Sequence, residues 1–355
     1  MSTEQYDLEK HPLTLGEKLG IASKFGMALL ALPFNLVFYL FPSGGAPLYK
    51  DRVAHAFSRS IQTLSIRQFL TLAVQGTNDA NYEAMMKTKN LPKTVTKAPA
   101  GPIDTQILWF GKSTAKKVIF YGMGCGYTFP LDPGQAKWLC ELQSYLQSQG
   151  QDVAIALLDI DFFPKKTYPH QIIQAAIALN HLLETRSPSD ITLFGYSSGA
   201  NMMLALLSHI LHPRDDIPRV TLPPNSQLAG LLVMSGVLSF DPTFDSYKTN
   251  AGKDILHQNI PLGICGAWLG GAAPDNYNEP ASADPAWWKG APVKRTLTLV
   301  GGIEILRDSN ARWFAQFKVH NPNSEFIAPP GEVHTSPKDD GTVMNITVRE
   351  WLAGC

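Results

Sequence analysis

The pentapeptide Gly195-Tyr196-Ser197-Ser198-Gly199 carries the pattern G-x-S-x-G at one place in the chain, with Ser197 at its centre. Ile191 to Phe194 before it favour a strand, and from Asn201 to His212 apolar residues recur at helical spacing until Pro213. Ser197 therefore falls on a strand-to-helix turn. Small residues two positions either side let strand and helix approach closely while the hydroxyl stands clear, as an exposed nucleophile requires. A serine hydroxyl attacks poorly near neutral pH. It needs a base within hydrogen-bond reach and a carboxylate to orient that base.

Around such a turn the acid and then the histidine follow the serine, on loops after later strands. Of nine histidines, His209, His212, His257, His320 and His334 lie beyond Ser197. The first two ride the helix after the serine, His257 lies in an irregular stretch and His320 ends a helix. His334, in "PPGEVHTSP" after the last expected strand, has the setting of a base. For the acid, "LTLVGGIEILRDSNARWF" puts Glu304 just past a strand and Asp308 four residues later. Glu304 is preferred because it stands nearer the strand end, and Asp308 reads as a helix-starting carboxylate. The glycines of "VIFYGMGCGYTFP", Gly122, Gly124 and Gly126, suit a loop whose backbone N–H groups face a developing oxyanion.

The elements that must position these residues alternate from Gln106 onward. Strands are expected at "VIFYG", "VAIALLDI", "ITLFG", "LAGLLVMSG", "TLTLVGG" and "SEFIAPP". Helices are expected around Leu139 to Leu146, Ile172 to Leu183, after Ser197, and over Asn310 to Phe317. Such alternation predicts a mostly parallel sheet covered on both faces. Asp241 to Pro292, rich in Pro, Gly and Asn with Trp268, Trp287 and Trp288, fits the alternation poorly; it reads as a cap inserted over the site or as a connection whose tryptophans fill the core.

The 355 residues are 45% hydrophobic and 17% charged, enough for one large α/β domain with a cap or two smaller domains. Thirty basic residues balance thirty acidic ones without long charge runs, which leaves no electrostatic footprint for nucleic acid and points to a small-molecule partner. Cys125, Cys140, Cys265 and Cys355 lack the spacing of a zinc site or a disulfide framework and suit a reducing compartment. The sequon at Asn345 is short enough to arise by chance.

Near the N-terminus, Phe25 to Phe41 form an apolar run interrupted by Pro33 and Asn35. Seventeen residues of helix span ~25 Å, short of a ~30 Å hydrocarbon core. A lid helix, an interfacial helix and a transmembrane span all remain open; a monotopic helix bordering the pocket mouth is the reading we favour. After Arg52 one amphipathic helix is expected to about Val74, and then a linker or extended connection over "KTKNLPKTVTKAPAGPI". The division is thus an N-terminal helical extension over 1–100 and a catalytic domain over 101–355 with its insertion at 241–292.

With these residues assembled, the chain resembles the hormone-sensitive-lipase-like branch of the α/β-hydrolases, especially fungal members with an N-terminal helical extension. "MGCGY" stands where that family has HGGGY, "GYSSGAN" is similar to GDSAGGN, and "GGIEILRD" matches the segment that bears the family acid, at Glu304. The resemblance implies the α/β-hydrolase fold, a Ser197-His334-Glu304 triad, and oxyanion donors from the amides of Cys125, Gly126 and Ser198. Met123 replaces the family histidine, Cys125 a glycine, and Tyr196 the usual acidic residue beside the serine. It implies a cofactor-free esterase, with no bound metal, cleaving a short acyl group from a lipophilic small molecule such as a sterol, terpenoid or polyketide. A lyase or cyclase of specialised metabolism using the same site is the alternative, and a non-catalytic binding protein the third. The expected location is intracellular, with membrane association through residues 25–41.

Overall fold

The computed structural model describes residues 3–38, 40, 49–73, 76–98 and 102–355. Its centre is an eight-stranded sheet made of β1 (Val95–Lys97), β2 (Gln106–Phe110), β3 (Lys117–Gly122), β4 (Val153–Asp159), β5 (Ile191–Tyr196), β6 (Gly230–Met234), β7 (Thr296–Leu299) and β8 (Ser324–Ile327), in the order β1-β2-β4-β3-β5-β6-β7-β8. The β1–β2 and β2–β4 pairs are antiparallel and all other pairs parallel. β3, β5, β6 and β7 are buried at nearly every position, which is why β3, β5 and β6 read as nearly continuous apolar runs rather than alternating ones.

Strand order reverses at β3. The chain steps outward from β3 through α5 (Pro133–Ser148) to β4, then crosses back through α6 (His170–Leu183) to β5, and continues through α7 (Ser198–Leu211) to β6. Right-handed crossovers put α5 on one face and α6 with α7 on the other, and α6 packs on α7 while α5 meets the C-terminal helix Val343–Ala353. The loops after β3 and β5 diverge at this switch point, where open α/β sheets bind their ligands.

The N-terminal region differs from expectation in three places. One helix was expected after Arg52; there are two, α2 (Tyr49–Gln62) and α3 (Ile66–Ala73). They are separated because Ser65 starts a capping box: its Oγ accepts from the Gln68 amide at 3.4 Å and Gln68 Oε1 accepts from the Ser65 amide at 3.0 Å. The expected linker contains β1, and α4 (Asn78–Thr88) buries Tyr82 and Met86 in the main core. The sheet therefore begins inside the segment read as a helical extension. The apolar run belongs to a longer helix, α1 (Leu15–Phe38), opened by a capping box between Thr14 and Glu17. Tyr39 and Phe41, at the end of the expected run, lie outside the described residues.

At 24 residues α1 is, by length and composition, the one helix among the described residues able to cross a membrane; the shortness argument applied to the apolar run alone does not hold for it. Its first turns are tied down, with Arg67 Nε 2.8 Å from Glu17 Oε1 and Gln68 Nε2 donating to the Glu17 carbonyl. Its later turns expose Leu29, Leu30, Phe34 and Val37.

Candidate active site

Ser197 follows β5 directly, with φ 56° and ψ −121°. A non-glycine residue held in that region stores strain that the surrounding packing must over-determine. Gly199 provides it: a Cβ there would lie 2.0 Å from the Gly122 carbonyl oxygen, so only glycine lets α7 start against the end of β3. Gly195 is nearly as crowded, since a Cβ there would lie 2.4 Å from the Ala200 Cα. The two outer glycines of the pattern thus have the steric reason read from the sequence.

The structure brings the three expected side chains together. His334 Nε2 lies 3.0 Å from Ser197 Oγ, and His334 Nδ1 lies 2.8 Å from Glu304 Oε2. A carboxylate only accepts, so Nδ1–H donates to Glu304 and Nε2 is left to accept from the serine hydroxyl. Glu304 is wholly buried, and its other oxygen accepts from Ser235 Oγ at 2.7 Å and the Gly301 amide at 2.5 Å. Asp308 faces elsewhere, accepting from the Ser246 amide and Arg307 Nε.

Two of these supports were missed in the sequence. Ser235, at the end of β6 with φ 50°, looked like part of a strand terminus. In the sequence Tyr196 stands out only as a departure from the family pattern. Its hydroxyl donates to the His334 carbonyl at 2.7 Å and its ring stacks 5.2 Å from the imidazole, so it braces the histidine loop from the β5 side. Both are side chains reaching from one strand end to a distant loop, a relation that local pattern does not carry.

The donor loop departs from expectation at one residue. The Cys125 amide, expected to face the substrate oxygen, donates to Ser198 Oγ at 3.1 Å. Ser198 stands where the resembled motif has alanine, which explains how a hydroxyl comes to occupy that amide. The Cys125 thiol lies 3.7 Å from the same oxygen, and burial pushes it up to about 11, so it stays a neutral wall. The Gly126 and Ser198 amides donate to no protein acceptor among the described residues.

A cavity of about 560 Å³ opens over Ser197 and His334. Gly124, Cys125 and Gly126 form its floor; Phe25 of α1, Phe57 and Ile61 of α2, and Phe69 and Leu72 of α3 form much of its wall. From the 241–292 insertion only Leu256 and Ile260 reach it. Trp268 instead stacks on Tyr127 at 3.7 Å, and Trp288 packs against Trp313 and Phe317 in the core. No cluster of three metal-ligating side chains occurs among the described residues. Asn345 of the sequon is buried, its Nδ2 donating to the Pro337 carbonyl.

A strained serine at the switch point of a parallel sheet, with a histidine and a glutamate carried on later loops, is the layout of an α/β-class hydrolase site. By sequence the chain belongs to the alpha/beta hydrolase fold family, which it matches over residues 150–337, just over half its length. Among curated proteins, none matches it. Solved structures with a similar fold include an esterase from the bacterial hormone-sensitive lipase family, at 19% identity and TM-score 0.60 over 81% of this chain and 94% of that one. The esterase LipW from Mycobacterium marinum matches at 15% identity and TM-score 0.61 over 82% and 89%. EstE5 soaked with p-nitrophenyl butyrate matches at 19% and 0.60 over 92% and 97%. At these identities the likeness is one of fold.

Proposed function

We propose that the protein is a carboxylic ester hydrolase in which Ser197 is the nucleophile, His334 the general base and then acid, and Glu304 the residue that fixes the imidazole. The observation that carries this is the continuous hydrogen-bonded line from Glu304 Oε2 through His334 to Ser197 Oγ at the floor of the cavity. Ser197 Oγ adds to the ester carbonyl as its proton passes to His334 Nε2. The resulting oxyanion is received by the free amides of Gly126 and Ser198 at the start of α7, where the helix dipole adds to their charge. His334 returns the proton to the departing alcohol, and a water, deprotonated by the same nitrogen, releases the carboxylic acid.

The wall of Phe25, Phe57, Ile61, Phe69 and Leu72 supports a lipophilic substrate, and the buried Cys125 side chain on the floor supports a short acyl group. A sterol, terpenoid or polyketide acetate fits these limits better than a long glyceride. Because α1 contributes Phe25 to the wall and exposes an apolar face beyond it, we place α1 in the interface of a membrane, bordering the pocket mouth, so that substrate enters from the lipid. The test is labelling by a fluorophosphonate together with turnover of p-nitrophenyl esters of increasing chain length. Ser197→Ala should abolish labelling and lower turnover by ~10⁴-fold or more with the fold intact. Undiminished labelling of that variant would remove Ser197 from the mechanism.

A further inference from the structure

Asp254 lies between β6 and β7, is wholly buried, and has no part in the acyl-transfer steps above. Its Oδ1 accepts from the Ile255 amide at 2.7 Å and the His334 amide at 3.1 Å, and its Oδ2 accepts from the Ile305 amide at 3.0 Å. Ile305 follows Glu304 directly. One carboxylate thus joins the loop of the acid to the loop of the base, at the base itself and at the neighbour of the acid.

The same segment is fastened outward to α2. The Arg59 guanidinium donates to the Asp254 carbonyl, Gln62 Nε2 donates to the Ile255 carbonyl at 3.1 Å, and Gln62 Oε1 accepts from the His257 amide at 2.7 Å. The charged and titratable groups around the Asp254 carboxylate include Glu304 on the acid loop, His334 on the base loop, Tyr196 at the end of β5 and Arg59 on α2. Burial first, and then the charge of Glu304, push its carboxyl up to about 6, while His334 and the two amides oppose the rise. A side chain present only for packing would be apolar here, since a carboxylate buried beside another carboxylate costs stability.

We propose that Asp254 is a positioning residue that holds the His334 and Glu304 loops in mutual register. The inference rests on the Ser197-His334-Glu304 reading. A misplacement of about 1 Å between reacting groups can cost about 100-fold in rate, so a clamp between two loops has consequences that exceed its own hydrogen bonds.

The test is Asp254→Asn in the full chain, read by the rate of fluorophosphonate labelling and by kcat and KM, measured separately, for p-nitrophenyl acetate. An amide offers one acceptor oxygen and turns its NH₂ toward a backbone donor, so one of the two loops is released. Labelling should slow by roughly 10- to 100-fold, and kcat should fall by a similar factor with KM little changed, because misplaced site loops affect the chemical step and leave the cavity wall in place. Labelling within about twofold of the parent overturns the proposal, and so does slowed labelling in which KM rises as much as kcat falls, which would leave Asp254 a structural residue only. If the asparagine variant does not fold, Asp254→Ser, which keeps an acceptor oxygen and admits water, is judged by the same two readings. A parent protein that is not labelled at all, or a Ser197→Ala variant that is, would instead refute the triad reading.

Discussion

Replacing Glu304 by glutamine changes one atom, and the surroundings dictate what that atom does. Glu304 Oε1 accepts from Ser235 Oγ and the Gly301 amide, and Oε2 accepts from His334 Nδ1. If the amide oxygen takes the first position, the NH₂ faces Nδ1, which must then accept. The ring proton moves to Nε2, and His334 can no longer take a proton from Ser197. If the amide turns over, the tautomer is kept, but the NH₂ points at the Gly301 N–H, a donor that cannot rotate away. A buried donor without an acceptor costs about 1–3 kcal/mol, so the inactive orientation dominates. The minority with the right tautomer still lacks the carboxylate charge, and a hydrogen bond to a charged group is worth about 1.5–3 kcal/mol. Together these reach roughly 5 kcal/mol, a loss of about 10³- to 10⁴-fold in kcat on p-nitrophenyl acetate. Asp308→Asn should stay within about tenfold of the parent, because Asp308 bonds only Ser246 and Arg307. The assay is steady-state turnover of both variants beside their thermal unfolding. A Glu304→Gln enzyme that keeps more than about a tenth of the parent activity, or an Asp308 variant that loses more, would refute the assignment of the acid.

Ser198→Ala should free the Cys125 amide and raise kcat on acetate esters by about tenfold or more, since loss of one oxyanion donor costs about 10²- to 10³-fold where it is fully engaged; a loss of rate would mean that the hydroxyl itself donates to the oxyanion. Asp159 is mostly buried, and desolvation pushes its carboxyl up to about 6 despite the Asn78 amide that bonds it. A raised carboxyl favours folding fully below about pH 4, and that contribution is lost as pH rises through about 6. Asp159→Asn should therefore stabilise the protein at pH 8 by up to about 3 kcal/mol and have little effect at pH 4, read by denaturant unfolding at both; an equal effect at the two pH values would refute the burial argument. Replacing Leu29, Leu30, Phe34 and Val37 together by serine should lower partition into phospholipid vesicles by about 100-fold or more while sparing turnover of a soluble acetate. Unchanged partition would remove α1 from the membrane.

The legible parts of this fold were those fixed by local rules. β3 to β6 are mostly apolar runs bounded by turn residues, and Gly195 and Gly199 mark a turn that only glycine permits at both ends. The three site residues followed, because each sits at the end of a strand that pattern could find. β1 escaped because three residues between prolines carry no periodicity, and its place is set by β2 across the sheet edge. The break between α2 and α3 was written in Ser65 and Gln68, a capping pair inside a segment whose apolar spacing suggested continuity. Tyr196, Ser235 and Asp254 were illegible for another reason. Each acts on a residue 69 or more positions away, or through a backbone amide of a distant loop, and such bonds exist only after the sheet has closed.

The N-terminal helices and the site loops are linked by polar bonds as well as by the shared cavity. α1 packs on α2 through Phe25 and Phe57, both in the cavity wall, and α2 is bonded through Arg59 and Gln62 to the segment whose carboxylate joins the two site loops. Surface helices that only shielded the pocket would need apolar contact alone. Partly buried hydrogen bonds add direction to that contact, since each fixes a register that apolar packing tolerates losing. An environment that shifts α1, such as insertion of its exposed Leu29, Leu30 and Phe34 into lipid, would therefore act on the cavity wall and on the Asp254 segment at once. The expected consequence is that vesicles change kcat as well as KM for a lipophilic ester, whereas a passive lid would change KM alone.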